Sequence, residues 1–347
     1  MKPSNSNALA ALFFLIVVPT LAVLAQEKPG SDGEVKEAPD TAWLNDITRI
    51  PPGENREINP VVVEYNLSWN NVVNAGKLSV GVVKTEADGE DSPAAYLGGA
   101  NGKSSGMARV LWPYDFEAAS VVRQEDLRPI AFNLSEKERN RTLDYHILFE
   151  SKQLVCSTTK PKDDGSEESV THLLTYEHDF GQDLLSAILY LRSLPLEDED
   201  EVNMVVTPFN RPYFVKSKVE GRETRKVKGE KYDTIKMSVE IGKIHKDLSI
   251  ENYDKMKTAT IWLTEDEYRL PLEIHADLFI GFVSARMKER KWVEEIEGEM
   301  AGPPEAAMPT KPSDPTATPA AAETASPDSA PDEKRRGGLL KRVFSKK

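Results

Sequence analysis

Val61-Val62-Val63-Glu64-Tyr65-Asn66-Leu67-Ser68-Trp69 is the stretch that decides the fold. Val61, Val63, Tyr65, Leu67 and Trp69 share one phase of a period of two, and Val62, Glu64, Asn66 and Ser68 share the other. Successive side chains of a strand point to opposite faces, so this pattern predicts a β-strand with one apolar face. Asn70, Asn71 and Asn74 supply turn chemistry, and a second strand carries Leu78, Val80 and Val82 on one face. Further on, Phe116, Ala118, Ser120 and Val122 alternate with Glu117, Ala119, Val121 and Arg123. Strand-like runs recur at 129–134, 142–149, 153–158, 169–176, 202–207, 212–219, 234–241 and 257–263. Lys162-Asp163-Asp164-Gly165-Ser166 reads as a hairpin turn. In the last run Leu272, Ile274, Ala276 and Leu278 oppose Glu273, His275, Asp277 and Phe279, and it reads as continuing through Gly281 to Met287. No internal repeat is visible.

One segment breaks the rhythm. Asp183-Leu-Leu-Ser-Ala-Ile-Leu-Tyr-Leu-Arg192 has no alternation and consists largely of good helix formers. Asp179 and Asp183 suit a helix N-terminus, Arg192 suits a C-terminus, and Pro195 ends the element. Its apolar residues run nearly all round, which predicts a helix buried on most sides. The fold expected is therefore mainly β: an antiparallel curved sheet or half-open barrel wrapped around one buried helix, residues 183–192.

The ends of the chain differ from this middle. Residues 1–25 read as a secretory signal, with Lys2, an apolar stretch from Ala8 to Ala25, and Val23 and Ala25 at the positions that suit cleavage. The segment is short and interrupted for a membrane anchor, which is the alternative reading. Residues 26–58, rich in Glu, Lys, Pro, Gly and Asp, read as a disordered leader; Trp43-Leu44 and Ile47 are its one docking spot. A β-rich domain follows over 59–293. Residues 301–333 form an acidic Pro/Ala-rich linker. In the basic tail, 334–347, the cations Lys334, Arg335, Arg336, Lys341, Arg342, Lys346 and Lys347 accompany Leu339, Leu340, Val343 and Phe344 at helical spacing. Such a tail suits an anionic membrane surface, or else merely offsets the acidic body. Taking Lys2 and the seven tail cations out of the net charge of −13 leaves −21 over residues 26–333. A body that acidic repels nucleic acid.

The order of these segments has a counterpart. Val63-Glu-Tyr-Asn-Leu-Ser-Trp69 with Ala75-Gly-Lys-Leu-Ser-Val80 resembles the opening hairpin of the bacterial domain-of-unknown-function family 3108. Asp183 to Pro195 resembles its central helix. Trp262-Leu-Thr-Glu-Asp266, Arg269-Leu-Pro271 and Gly281-Phe-Val-Ser-Ala285 resemble its closing hairpin. The resemblance spans about residues 60–290 and implies export from a bacterial cytoplasm, to the periplasm or cell envelope. By analogy of pattern it also implies a sheet like those of periplasmic lipoprotein carriers. It brings no catalytic residues.

Motifs for chemistry are scarce. Cys156, the single cysteine, sits in a strand-like run without a neighbouring histidine, where a small buried hydrophobe is the ordinary role. The five histidines form no zinc spacing. Glu273, His275 and Asp277 share a strand face, a pattern that a solvated face already explains. Glu197-Asp-Glu-Asp-Glu201 lacks the spacing of a calcium loop. Gly98, Gly99 and Gly102 match no phosphate cradle, and no hydrolase elbow or Walker loop is present. No cofactor, metal or catalytic residue is expected. A helix about 15 Å long covers only part of a sheet of some ten strands spaced about 4.8 Å apart. The remainder closes on itself, packs against a second sheet, or stays open as a groove; if open, its apolar lining is expected to be Tyr65, Leu67, Trp69, Leu78, Val80, Trp262, Ile274 and Leu278, with Tyr190 at the floor. That favours a non-enzymatic protein binding or carrying a lipid-like molecule. A structural or protein-interaction module is the alternative, and an enzyme with a site invisible in sequence the third.

Overall fold

The computed structural model describes residues 41–51, 53–87, 93–162, 165–175, 181–253, 256–278 and 281–292. The expected signal, linker and tail lie outside them. Period-two alternation becomes a ladder: β1 (Val61–Trp69) pairs with β2 (Val73–Thr85), and β3 (Ala95–Ser104) follows. A short helix, α1 (Gly106–Leu111), leads into β4 (Tyr114–Arg123), β5 (Pro129–Glu138), β6 (Arg141–Glu150), β7 (Gln153–Pro161) and β8 (Glu167–Thr175). The two-residue β9 (Gly181–Gln182) precedes α2 (Leu184–Ser193). Then come β10 (Glu201–Val206), β11 (Tyr213–Val227), β12 (Glu230–Ile244), β13 (Ile250–Asn252), β14 (Met256–Thr264), β15 (Pro271–Leu278) and β16 (Phe282–Trp292).

All sixteen strands join one sheet, in the order β8-β7-β6-β5-β4-β3-β2-β1-β16-β15-β14-β12-β11-β10-β9, with β13 on β12. Every pairing is antiparallel except β9 with β10. The first and last strands of the domain, β1 and β16, thus meet in mid-sheet, while β8 and β9 form its two edges. Laid flat, the path from β8 to β9 would be about 67 Å wide at about 4.8 Å per step. Only residues 176–180 separate Thr175 from Gly181, and that stretch reaches at most about 22 Å. The sheet must therefore curl, and contacts across its mouth show that it does. The rings of Tyr145 on β6 and Phe209 after β10 lie 5.0 Å apart. A Cβ on Gly181 would come within 3.6 Å of Phe149. The result is a single large, curved, open sheet with α2 against its inner face.

The helix is held at both ends. Asp183 caps it: Oδ1 accepts from the backbone N–H groups of Leu185 (2.7 Å) and Ser186 (2.9 Å), while Ser186 Oγ accepts from the Asp183 N–H (2.9 Å). Oδ2 accepts from Ser120 Oγ on β4 at 2.6 Å, pinning the cap to the sheet. At the other end Ser193 Oγ donates to the Tyr190 carbonyl and Arg269 donates to that of Leu194. Pro195 then stops the helix, since the residue before a proline avoids helical geometry.

Four expectations are corrected by the structure. Sixteen strands are present among the described residues, where about ten were expected. The largest omission is β3, because Gly98, Gly99 and Gly102 depress strand propensity. These glycines have a packing role instead. A Cβ on Gly102 would lie 2.2 Å from the Phe116 ring, and one on Gly98 would lie 3.3 Å from Leu185 of α2. The helix sits as close to the sheet as it does because Gly98 has no side chain. Secondly, the run 272–287 is two strands: Gly281, with φ of +71°, stands in the β15–β16 connection, and the N–H of the following Phe282 donates to Asn70 Oδ1 at 2.8 Å. Thirdly, the disordered leader does not extend to residue 58. Ala42–Asp46 form a 3-10 helix, and Trp43 and Ile47 bury against Val205, Phe214 and Ile244 on the outer face of the sheet. Trp43 Nε1 donates to the Leu248 carbonyl, and Thr48 exchanges hydrogen bonds with Asn203. Two apolar side chains four positions apart were enough to dock a segment of otherwise polar composition. The fourth correction concerns Trp262 and is given with the site.

Candidate functional site: an apolar cavity between α2 and the inner sheet face

A cavity of about 180 Å³ lies between α2 and the inner face of the sheet. Alternation places its walls. Val61, Val63 and Tyr65 of β1 and Leu78, Val80 and Val82 of β2 point inward together, and Gly98 and Ala100 of β3 extend the surface. Met204 and Val206 of β10, Val215 and Ser217 of β11, Val239 and Ile241 of β12, Ile261 of β14 and Ile274 of β15 form the opposite wall. From α2 come Leu184, Leu185, Ala187, Ile188, Leu189, Leu191 and Arg192. Val80, Leu184, Ile188, Val215 and Ile241 face inward yet are only half-buried, whereas Val61, Val63, Leu78 and Val82 are fully buried. Among the described residues, α2 leaves part of the inner apolar face uncovered.

The wall is almost wholly apolar, so its few polar groups stand out. Arg192 is 5% exposed. Its Nε donates to the Tyr268 carbonyl at 2.9 Å and Nη2 to that of Asn59 at 3.4 Å; among the described residues no carboxylate forms an ion pair with it. Burial pulls its pKa down to about 10, so it stays charged at neutral pH. The Tyr65 hydroxyl donates to the Pro271 carbonyl at 2.9 Å, and burial raises its pKa. Ser217 Oγ is buried and has no hydrogen-bond partner among the described residues.

Of the nine residues expected to line a groove, the structure brings Tyr65, Leu78, Val80 and Ile274 to the cavity. Leu67 and Leu278 are buried in the main core away from it, and Trp69 packs half-buried against that core. Tyr190 is buried, but its hydroxyl turns to the Thr48 carbonyl at 3.0 Å. Trp262 is the correction: it lies on the outer face. Its Nε1 donates to Glu223 at 2.7 Å, and the Arg225 guanidinium lies 4.3 Å from its ring centre. Ile261-Trp262-Leu263 are three consecutive apolar residues, so alternation there does not say which phase faces inward. Arg192, Ser217, Met204 and Val206 were missed. For Arg192 a signal existed: a cation in a helix that is apolar nearly all round.

The other candidate chemistries resolve into structure. Next to Trp262, Glu273 is 2% exposed and accepts from Arg225 at 2.6 Å and Arg286 at 2.8 Å. Burial would raise its pKa, but the hydrogen bonds and charges of the two arginines outweigh that and lower it. His275 stacks on Phe282 at 4.1 Å. Among the described residues no group of three His, Cys, Asp or Glu side chains could hold a metal ion. Cys156 is buried, and desolvation pushes its thiol up to about 12, so it carries negligible thiolate at neutral pH. A second depression beside Trp43 mixes Phe214 with Lys216 and Glu240 and offers no apolar enclosure. Five large apolar side chains are exposed on α1, the β1–β2 turn and the start of β2: Val72, Val73, Met107, Val110 and Leu111. Ser105 Oγ joins the two segments by donating to Asn74 Oδ1 at 3.0 Å. No helix among the described residues is long and apolar enough to cross a membrane.

A curved, mainly antiparallel sheet around a central helix is the class that these features define. Residues 64–288 match the family described as protein of unknown function DUF3108, and the chain belongs to that family. No curated protein matches. Among solved structures, the chain is similar to a beta-barrel-like protein of domain of unknown function DUF1849 from Brucella abortus. That likeness has 7% identity, covers 69% of this chain and 99% of the other, and has a TM-score of 0.45. It is also similar to a protein of YmcC-like fold from Bacteroides fragilis, described as exported, at 8% identity over 70% of this chain and 100% of the other, with a TM-score of 0.27.

Proposed function

We propose that this chain is an exported, non-enzymatic protein of the cell envelope that takes up a lipid-like apolar molecule between α2 and the inner sheet face. The cavity carries the reading. It is larger than an engineered apolar cavity of about 150 Å³ that takes up benzene. Its wall would gain roughly 25 cal/mol for each Å² of apolar surface that a ligand removes from water. Native mass spectrometry of the protein taken from its own envelope, followed by solvent extraction, tests this. An apolar molecule bound one to one is expected. A protein that emerges empty, and stays empty after incubation with short-chain alcohols, would overturn the proposal.

A second reading, docking to another macromolecule, is favoured by the exposed patch on α1 and the β1–β2 turn, since contiguous exposed apolar surface commonly marks an interaction site. The basic segment 334–347 adds a charge-driven route to anionic membrane.

A further inference from the structure

We propose that the molecule held against α2 is an anionic amphiphile, an alkyl chain ending in a carboxylate, and that the Arg192 guanidinium binds its head; this rests on the apolar-ligand reading above. Arg192 lines the cavity and is buried in a wall otherwise made almost entirely of hydrocarbon. A guanidinium has five N–H donors. The protein supplies Arg192 with two backbone carbonyls, from Tyr268 and Asn59, which are neutral acceptors. The negative end of the α2 dipole offers a fraction of a charge more. A charge taken out of water without a directly bonded counter-charge is destabilising. Neighbouring arginines show how this chain treats such groups elsewhere: Arg225 and Arg286 on the outer face share the Glu273 carboxylate, and Arg290 bonds to Asp266 at 3.1 Å. Arg192 alone of these faces the cavity; Asp266, bonded to Arg290, attracts it only at longer range, and no carboxylate forms a hydrogen bond or ion pair with it among the described residues.

A carboxylate bonded directly to the guanidinium is what a ligand head would bring. A carboxylate matches one guanidinium in charge and in its two-pronged geometry. A phosphate monoester carries about −1.5 to −2 at neutral pH and would bury surplus charge. The Ser217 hydroxyl, on the β11 wall of the same cavity and without a hydrogen-bond partner among the described residues, is a second donor. By comparison with the cavity of about 150 Å³ that takes benzene, the enclosed part of the chain is on the order of six to eight carbons.

Octanoate, 1-octanol and octylamine therefore form the decisive series, titrated calorimetrically into the full chain. Octanoate is expected to bind at least about tenfold more tightly than 1-octanol, the scale of one charge-assisted hydrogen bond, with octylamine weakest. Arg192→Met should erase the octanoate-to-octanol ratio. Arg192→Lys, which keeps the charge but not the fork, should retain a reduced ratio; it serves if the methionine variant does not fold. Equal affinity of the wild type for octanoate and octanol would overturn the assignment and leave the apolar-ligand reading standing. So would an unchanged ratio in Arg192→Met. Failure of all three compounds to bind would overturn both. An Arg192 that only ties α2 to Tyr268 and Asn59 would give no octanoate preference in the wild type.

Discussion

Replacing Asp183 with Asn should make the protein more stable at neutral pH and should remove a specific pH dependence. Asp183 is fully buried at the start of α2 and accepts three hydrogen bonds, from Leu185, Ser186 and Ser120. Burial raises its pKa from 3.8 to about 6, even though those hydrogen bonds act to lower it. The folded state thus binds this proton more tightly than the unfolded chain. The stability it confers is full below the unfolded value of 3.8 and is lost as pH rises through about 6. A shift of about two units corresponds to about 3 kcal/mol, of which about 2 kcal/mol falls between pH 4.5 and 8. Asn is as good an N-cap as Asp and keeps the acceptor for the two N–H groups, while it does not titrate. Urea denaturation of wild type and Asp183→Asn at a series of pH values measures the difference. The variant's advantage should grow by about 2 kcal/mol from pH 4.5 to 8. Parallel curves for the two proteins would refute the reasoning and would mean that water reaches the head of α2.

Three further outcomes are expected. Gly102→Ala places a carbon 2.2 Å from the buried Phe116 ring and should cost about 1–3 kcal/mol in denaturant unfolding, the scale of core overpacking. Glu273→Gln deprives Arg225 and Arg286 of their shared counter-charge; since both arginines are partly exposed, about 1–3 kcal/mol is expected at pH 7. That loss should shrink in acid, because the lowered pKa of Glu273 contributes stability that disappears as pH falls through the carboxylate range. Deleting residues 334–347 should abolish salt-sensitive co-sedimentation with anionic vesicles and leave unfolding unchanged; binding that persists without the segment would place the contact elsewhere.

What was legible in the sequence follows from how strongly each element is patterned. Strand β1 has five apolar residues in strict phase, and α2 has a cap, a C-terminal cation and a proline, so both could be read directly. Strand β3 could not, because its glycines answer to α2 and Phe116, which are distant in sequence. Alternation says which residues share a face, and it placed Tyr65, Leu78, Val80 and Ile274 together. It fails where apolar residues are consecutive, as at Trp262. It also does not report on distance along the sheet, so Leu67 and Leu278 share the inner face without reaching the cavity. The docking of Trp43 and Ile47 depends on Phe214 and Ile244, which are distant in sequence. Arg192 was read as a favourable helix end; its burial is a property of the surrounding sheet.

The most direct test of the central claim is calorimetric titration of the full chain with 1-octanol, beside Ala187→Leu. Ala187 lines the cavity, and the larger side chain puts three further carbons into it. The account predicts saturable one-to-one binding by the wild type with a negative heat-capacity change, the mark of apolar burial, and its loss in a variant that still unfolds cooperatively. No binding by the wild type, or equal binding by both proteins, would contradict it.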